Sequence, residues 1–69
     1  MPDFVKEALN KTKLFDAYES RPPYQQNDYI GWISSAKRTE TQAARLAQML
    51  DELARGDVYM KMSYKPAKK

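Results

Sequence analysis

The sequence predicts an all-α protein: a small bundle of three to four helices with a core antiparallel helix pair and a flexible C-terminal tail. Two observations predict this fold class. Apolar residues recur at helical spacing in two consecutive segments, 24–36 and 40–55. Only a short turn separates these segments, so their apolar faces most simply pack against each other. The chain has 69 residues, which is enough for one domain with a small core.

The N-terminal part predicts two short helices. The first is expected from Pro2 to Asn10, because proline is tolerated at the start of a helix. A second amphipathic helix is expected over 13–20, with Thr12 as its N-cap. Alternatively, this segment continues the first helix with a kink. Residues 21–23 end the segment, because proline cannot continue a helix interior, and Pro23 is well placed to begin the next helix.

The third helix is predicted from Tyr24 to Ala36. Its apolar stripe is Tyr29, Trp32, Ile33 and Ala36. Trp32 should be largely buried against Leu46 or Leu50. Gly31 costs a helix interior about 1 kcal/mol relative to alanine. Either the helix tolerates it, or a neighbouring helix crosses closely at that point.

The fourth helix is predicted from Glu40 to Arg55. The motif T-x-x-Q at 39–42 indicates a capping box, and Gly56 is typical of a C-terminal cap. The apolar stripe of this helix is Ala43, Leu46, Ala47, Leu50, Leu53 and Ala54. The helical domain is therefore expected to span 1–56.

Residues 57–69 are predicted to be a basic tail that is partly disordered. A lone strand in this segment would have no partner and would not be stable. The segment is nevertheless too apolar for a typical linker, because it contains Tyr59, Met60, Met62 and Tyr64. These side chains either pack back on the helices or mark where a longer protein or a partner attaches.

The residue inventory argues against an enzyme and against a bound metal or cofactor. The chain has no histidine and no cysteine, so the commonest general base, metal ligand and thiol nucleophile are all absent. Ser34 and Lys37 match a bare S-x-x-K spacing without its companion motifs, which favours chance. Asp51 and Glu52 point about 100° apart on a helix, so they are interpreted as solvated surface. No small-molecule substrate is evident.

Charge and hydropathy indicate a cytoplasmic protein. No apolar run approaches the ~20 residues that span a bilayer, and residues 1–4 contain no secretory leader. The net charge is +3, with 12 basic and 9 acidic residues and a pI near 9.3. This mild excess makes nucleic-acid binding possible but does not favour it.

Three basic residues at the turn between the last two helices are the candidate contact residues: Lys37, Arg38 and Arg45. In one interpretation they serve local electrostatics, with Arg45 reaching Asp28 or Glu40. In the other they form an anion-binding corner at the start of the last helix. Such a corner allows a weak DNA- or RNA-binding helix-turn-helix as the second hypothesis. The last helix lacks the clustered basic face of a DNA reader, however.

The aromatic side chains also allow two interpretations. Core packing is favoured for Phe15, Tyr29 and Trp32, because such rings bury large areas in a small bundle. A binding face is most plausible for Tyr18 and Tyr24, which flank the proline turn.

The stretch from Tyr29 to Leu46, YIGWISSAKRTETQAARL, resembles the YdeI / OmpD-associated family, also called bacteriocin-protection proteins. The family pattern runs roughly Y-[VI]-x-W-I-x-x-A-K-x-x-E-T-x-x-x-R-[IL], followed by a helix ending in L-x-x-G. The matching residues here are Tyr29, Trp32, Ile33, Ala36, Lys37, Glu40, Thr41, Arg45, Leu53 and Gly56. The resemblance implies a role in envelope-stress or antimicrobial-peptide tolerance. We therefore expect a non-catalytic interaction module that contacts a protein partner or a second copy of itself.

Overall fold

A computed structural model of the chain describes residues 1–63, and it contains four helices followed by a short β-hairpin. The helices are α1 (Asp3–Thr12), α2 (Phe15–Glu19), α3 (Pro23–Ser34) and α4 (Thr39–Arg55), and the strands are β1 (Val58–Tyr59) and β2 (Met62–Ser63). The predicted helical bundle is confirmed. Within the described range, no helix has the length and apolar character needed to cross a membrane.

The break between α1 and α2 is made by the backbone of Lys13, which adopts a left-handed conformation with φ of 62°. The Leu14 amide then donates to the Leu9 carbonyl at 3.0 Å, as in a Schellman C-cap. The predicted role of Thr12 as a cap of α2 was wrong. Thr12 ends α1, and its hydroxyl donates to the Ala8 carbonyl at 2.7 Å, so it is already satisfied within α1.

The ends of α3 and α4 agree with most of the terminal signals. Pro23 is the first residue of α3, as its fixed φ favours. Gly56 caps α4 with φ of 81° and donates its amide to the Glu52 carbonyl at 2.9 Å. The predicted capping box does not form, because Thr39 is already helical. Instead the Gln42 side-chain amide donates to the Ala36 carbonyl at 3.0 Å, which connects α4 to the preceding turn.

The core lies where the four helices meet. Its buried apolar side chains are Val5, Leu9, Tyr18, Tyr29, Ile33, Met49 and Leu53. Helices α3 and α4 are antiparallel, as predicted: Arg45 near the start of α4 bonds to Trp32 near the end of α3, whereas Glu52 bonds to Tyr29.

The buried face of α4 differs from the predicted stripe. Met49, Glu52 and Leu53 are its buried residues, whereas the alanines at 43, 47 and 54 are exposed. Helices α1, α2 and α3 and strand β1 all contact α4. Its buried face is therefore centred on the long side chain of Met49, between the leucines, and the small alanines face solvent.

The sequence raised two points about α3, the burial of Trp32 and the reason for Gly31. Trp32 is only partly buried, and it packs at the edge of the core instead of within it. Gly31 is exposed, and a Cβ atom added there would meet nothing within 4 Å. The helix therefore tolerates this glycine, and no neighbouring helix crosses closely at that point.

The segment after Gly56 folds back on the helices, which was one of the two alternatives. The expectation that no stable strand forms there was wrong, because the strand finds a partner within the segment itself. Val58 pairs with Ser63 and Tyr59 pairs with Met62 in an antiparallel hairpin. The two turn residues, Met60 and Lys61, both have positive φ, 50° and 64°, which is the pattern of a type I′ turn. The predicted disorder of the end of the tail, including Tyr64, lies outside the described residues.

Candidate interaction site

The three residues of the predicted basic turn have different surroundings in the structure. Lys37 and Arg38 are exposed at the surface. The Arg38 guanidinium lies 3.9 Å from the Glu40 carboxylate, and these side chains are 80% and 78% exposed. An ion pair of this kind contributes little to stability because water screens it. Lys37 and Arg38 thus stay predicted contact residues.

Arg45, by contrast, is used within the fold. Its guanidinium donates to the Trp32 carbonyl at 2.5 Å and to the Ser35 hydroxyl at 3.2 Å. The same group lies over the Trp32 ring, 5.3 Å from its centroid. Arg45 therefore caps the C-terminal end of α3 and makes a cation–π contact, in place of the predicted pairing with Asp28 or Glu40.

A buried carboxylate joins the hairpin to the bundle, and sequence reasoning had placed it on the surface. Glu52 is only 2% exposed. Its Oε1 accepts the Tyr29 hydroxyl and the Met60 amide at 2.8 Å. Its Oε2 accepts the Lys61 amide at 2.9 Å and the Gln48 side-chain amide at 3.1 Å. Four donors from three elements of the chain thus converge on one side chain.

A second buried charged residue, Arg21, holds strand β1 through a hydrogen bond to Val58. The guanidinium of Arg21, which is 5% exposed, donates to the Val58 carbonyl at 2.8 Å and to the Glu52 carbonyl at 3.0 Å. It also donates to Gln25 Oε1 at 3.2 Å. The residue that precedes the proline turn therefore holds both α4 and β1. Arg21, Gln25 and Glu52 form what we call the buried polar cluster.

The protonation of this cluster follows from its hydrogen bonds. Burial raises the pKa of Glu52, but the hydrogen bonds from Tyr29, the turn amides and Gln48 offset it and leave that pKa below its usual range. Burial and the bond to Glu52 raise the pKa of Tyr29 far above its usual range. Glu52 is thus a stable anion at neutral pH, and Tyr29 a stable neutral donor.

The buried polar cluster is satisfied internally. Every fully buried side-chain nitrogen or oxygen in the described part of the chain has a hydrogen-bond partner. The arrangement clamps the hairpin turn against α4. One sequence signal was available: Glu52 lies three residues after Met49 and next to Leu53, on the side of α4 that proves to be buried.

The surface above this cluster carries an aromatic pair. Tyr24 on α3 is 59% exposed, and its ring is nearly perpendicular to that of Tyr59, at 80° with centroids 6.2 Å apart. The Tyr59 hydroxyl donates to the exposed Asp28 carboxylate. Tyr24, Asp28 and Tyr59 are called the aromatic corner below. Of the two tyrosines predicted to flank a binding face, Tyr24 is exposed, whereas Tyr18 is buried in the core.

The aromatic corner is held in place from beneath. The Tyr59 ring also packs edge-on against Tyr29, with centroids 5.5 Å apart at 84°. The Gln25 side-chain amide donates to the Tyr24 hydroxyl at 3.0 Å. Burial and the bond to Asp28 raise the pKa of Tyr59 to about 12, so its hydroxyl stays a donor at neutral pH. Gln25 therefore holds Tyr24 in place, and Tyr29 and Asp28 hold Tyr59.

One comparison with known proteins identifies a family. A family model described as "Bacteriocin-protection, YdeI or OmpD-Associated" matches residues 1–56. The match ends at Gly56, so it covers all four helices and leaves the hairpin outside. No curated protein and no solved structure matches the chain significantly.

Proposed function

This chain belongs to the bacteriocin-protection family, the YdeI or OmpD-associated proteins, and we propose that it is a non-catalytic helical module that acts by protein contact. The family match supports the bacteriocin-protection side of the proposal. The proposed non-catalytic character rests on the residue inventory, which contains no histidine or cysteine. We also propose a cytoplasmic location, because no apolar run in the sequence approaches the ~20 residues that span a bilayer.

The proposal rests on Tyr24, whose ring is exposed to solvent and yet held in one position by its neighbours. A ring that is 59% exposed yet held by Tyr59 and Gln25 is ready to bury its area against a partner. Tyrosine is enriched among the residues that dominate protein interfaces. A ring held in place in advance also loses little conformational entropy on binding. Among the residues that the structure describes, the other exposed large apolar side chains are Met1, Phe4 and Met62.

The exposed part of the basic turn supports the second hypothesis, weak DNA or RNA binding. Lys37 and Arg38 lie at the start of α4, where no side chain caps the helix amides. Titrating duplex DNA at low salt should then shift the amides of residues 37–45, and added salt should reverse the shifts. Absent or salt-independent shifts contradict this hypothesis.

Protein contact is tested by native mass measurement together with a pull-down on the immobilised chain. The variants are Tyr24→Ser, which removes the ring, and Ala47→Ser, which changes an exposed position of α4. We expect the original chain and Ala47→Ser to retain the same partner, or the same self-association, and Tyr24→Ser to lose it. A chain that neither binds a partner nor self-associates, or a Tyr24→Ser variant that binds unchanged, contradicts the proposal.

A further inference from the structure

We propose that the aromatic corner is a cation-binding site that takes a lysine or arginine side chain of the partner protein. This inference rests on the proposed function and names the chemistry of the partner. The site consists of Tyr24, Asp28 and Tyr59, two aromatic rings and one carboxylate. Nothing in the family match predicts it, because Tyr59 lies beyond the matched residues.

The geometry of the rings suits a cation. A cation binds over an aromatic face when it lies within about 6 Å of the ring centroid. Tyr24 and Tyr59 are nearly perpendicular, at 80°, with centroids 6.2 Å apart, so they form two walls of an angle. Tyr24 is 59% exposed, so part of its surface is accessible to solvent and to ligands. The chain shows the same type of contact at Arg45, which lies over the Trp32 ring.

The carboxylate of Asp28, the third member of the site, determines that the bound group is a cation. Asp28 lies four residues after Tyr24 on α3, so the two side chains are neighbours on one helical face. Its Oδ2 atom accepts the Tyr59 hydroxyl. An ionised carboxylate has about four lone-pair sites, so this single bond leaves acceptor capacity for a second donor. A cation therefore gains both a ring face and a carboxylate, whereas an anionic group is repelled.

The neighbouring cations do not displace this preference. Arg21 is buried, and its guanidinium donates to the carbonyls of Glu52 and Val58 beneath the corner. Lys61 is exposed in the hairpin turn, where its backbone amide is bound by Glu52. The charge at the outer surface of the corner itself is that of Asp28. A basic partner side chain is thus favoured over an acidic or apolar one.

The test is a titration of the isotope-labelled full chain with the peptide Ac-Lys-Lys-Lys-NH2, followed by amide chemical shifts. The peptide Ac-Glu-Glu-Glu-NH2 is the matched probe of opposite charge. We expect the lysine peptide to shift amides within 24–29 and 58–60. The glutamate peptide should leave them unchanged. Equal shifts with both peptides, or shifts confined to other regions, overturn the proposal.

Two variants assign the binding to the named atoms. Tyr24→Leu keeps apolar bulk but removes the ring, and Asp28→Asn keeps shape but removes the charge. Each should raise the Kd for the lysine peptide by about 2- to 5-fold, the range expected for the loss of one exposed cation–π or ionic contact. Glu7→Gln, which removes an exposed carboxylate on α1, is the control and should change binding less than 1.5-fold. Binding that is unchanged in both corner variants overturns the proposal.

The outcome is separable from that of the proposed function. The peptide titration needs no natural partner, so a chain that binds the lysine peptide at the corner supports the site even if the pull-down fails. Conversely, a partner whose capture depends on Tyr24 but not on Asp28 would uphold protein contact and refute the cationic chemistry.

Discussion

Replacing Glu52 with glutamine should release the hairpin and destabilise the whole domain. The carboxylate is 2% exposed and accepts four hydrogen bonds, from Tyr29, Gln48 and the amides of Met60 and Lys61. Glutamine keeps one acceptor oxygen but presents an NH2 group to donors. The NH2 group then meets the two donors of the oxygen that it replaces, so two hydrogen bonds are lost, and the other two no longer have a charged acceptor.

The magnitude follows from the number of bonds. A hydrogen bond to a charged group contributes about 1.5–3 kcal/mol, and an unsatisfied buried donor costs about 1–3 kcal/mol. Two such bonds are lost, so we expect Glu52→Gln to lower the free energy of unfolding by about 3–6 kcal/mol. A domain of this size has a total stability of only about 3–10 kcal/mol. The variant should thus be close to unfolding at room temperature.

The assay is urea denaturation monitored by circular dichroism, combined with hydrogen exchange of the Met60 and Lys61 amides. Asp51→Asn is the matched control, because Asp51 is the exposed neighbour of Glu52 and its side chain is 61% exposed beside Arg55. The control should change stability by less than about 0.5 kcal/mol. If Glu52→Gln behaves like the control and both turn amides stay protected, the assigned role of Glu52 is refuted.

Three further predictions follow from other contacts. Folding lowers the pKa of Glu52, so this residue stabilises the folded state at pH values above its unfolded pKa of about 4.3. That stabilisation is lost as the pH falls through the folded pKa, so the urea midpoint should be constant from pH 7 to about 5 and then decline. A midpoint that rises on acidification contradicts this. Gly31→Ala should raise stability by about 0.5–1 kcal/mol in thermal unfolding, because the added Cβ meets nothing within 4 Å; a loss would refute the open site. Arg45→Met should cost about 1–2 kcal/mol in urea and change the emission of Trp32, the single tryptophan; unchanged emission would contradict the contact.

The sequence was sufficient for the parts of the fold that depend on local pattern. The positions of α3 and α4 follow from apolar spacing, and the end of α4 follows from the glycine that adopts positive φ. Tyr29 and Ile33 are buried as their spacing on α3 predicts. These features need no information about distant partners.

The remaining features depend on contacts distant in sequence. A glutamate is normally exposed, and Glu52 is buried only because Tyr29, 23 residues earlier, and the turn amides 8 and 9 residues later converge on it. The two turn residues of the hairpin, Met60 and Lys61, are not the glycine or asparagine that would predict such a turn. The aromatic corner likewise joins α3 to β1, 31 residues apart, so Tyr24 and Asp28 alone do not reveal it.

The most direct test of contact through the aromatic corner is site-specific photo-crosslinking in the cells that produce this protein. A benzophenone amino acid is placed at position 24 in one variant and at position 47, an exposed site on α4, in another. Contact through the corner predicts one defined crosslinked species from position 24 that is absent from position 47 and is weakened when Asp28→Asn is added. No crosslink from position 24, or the same species from both positions, would contradict it.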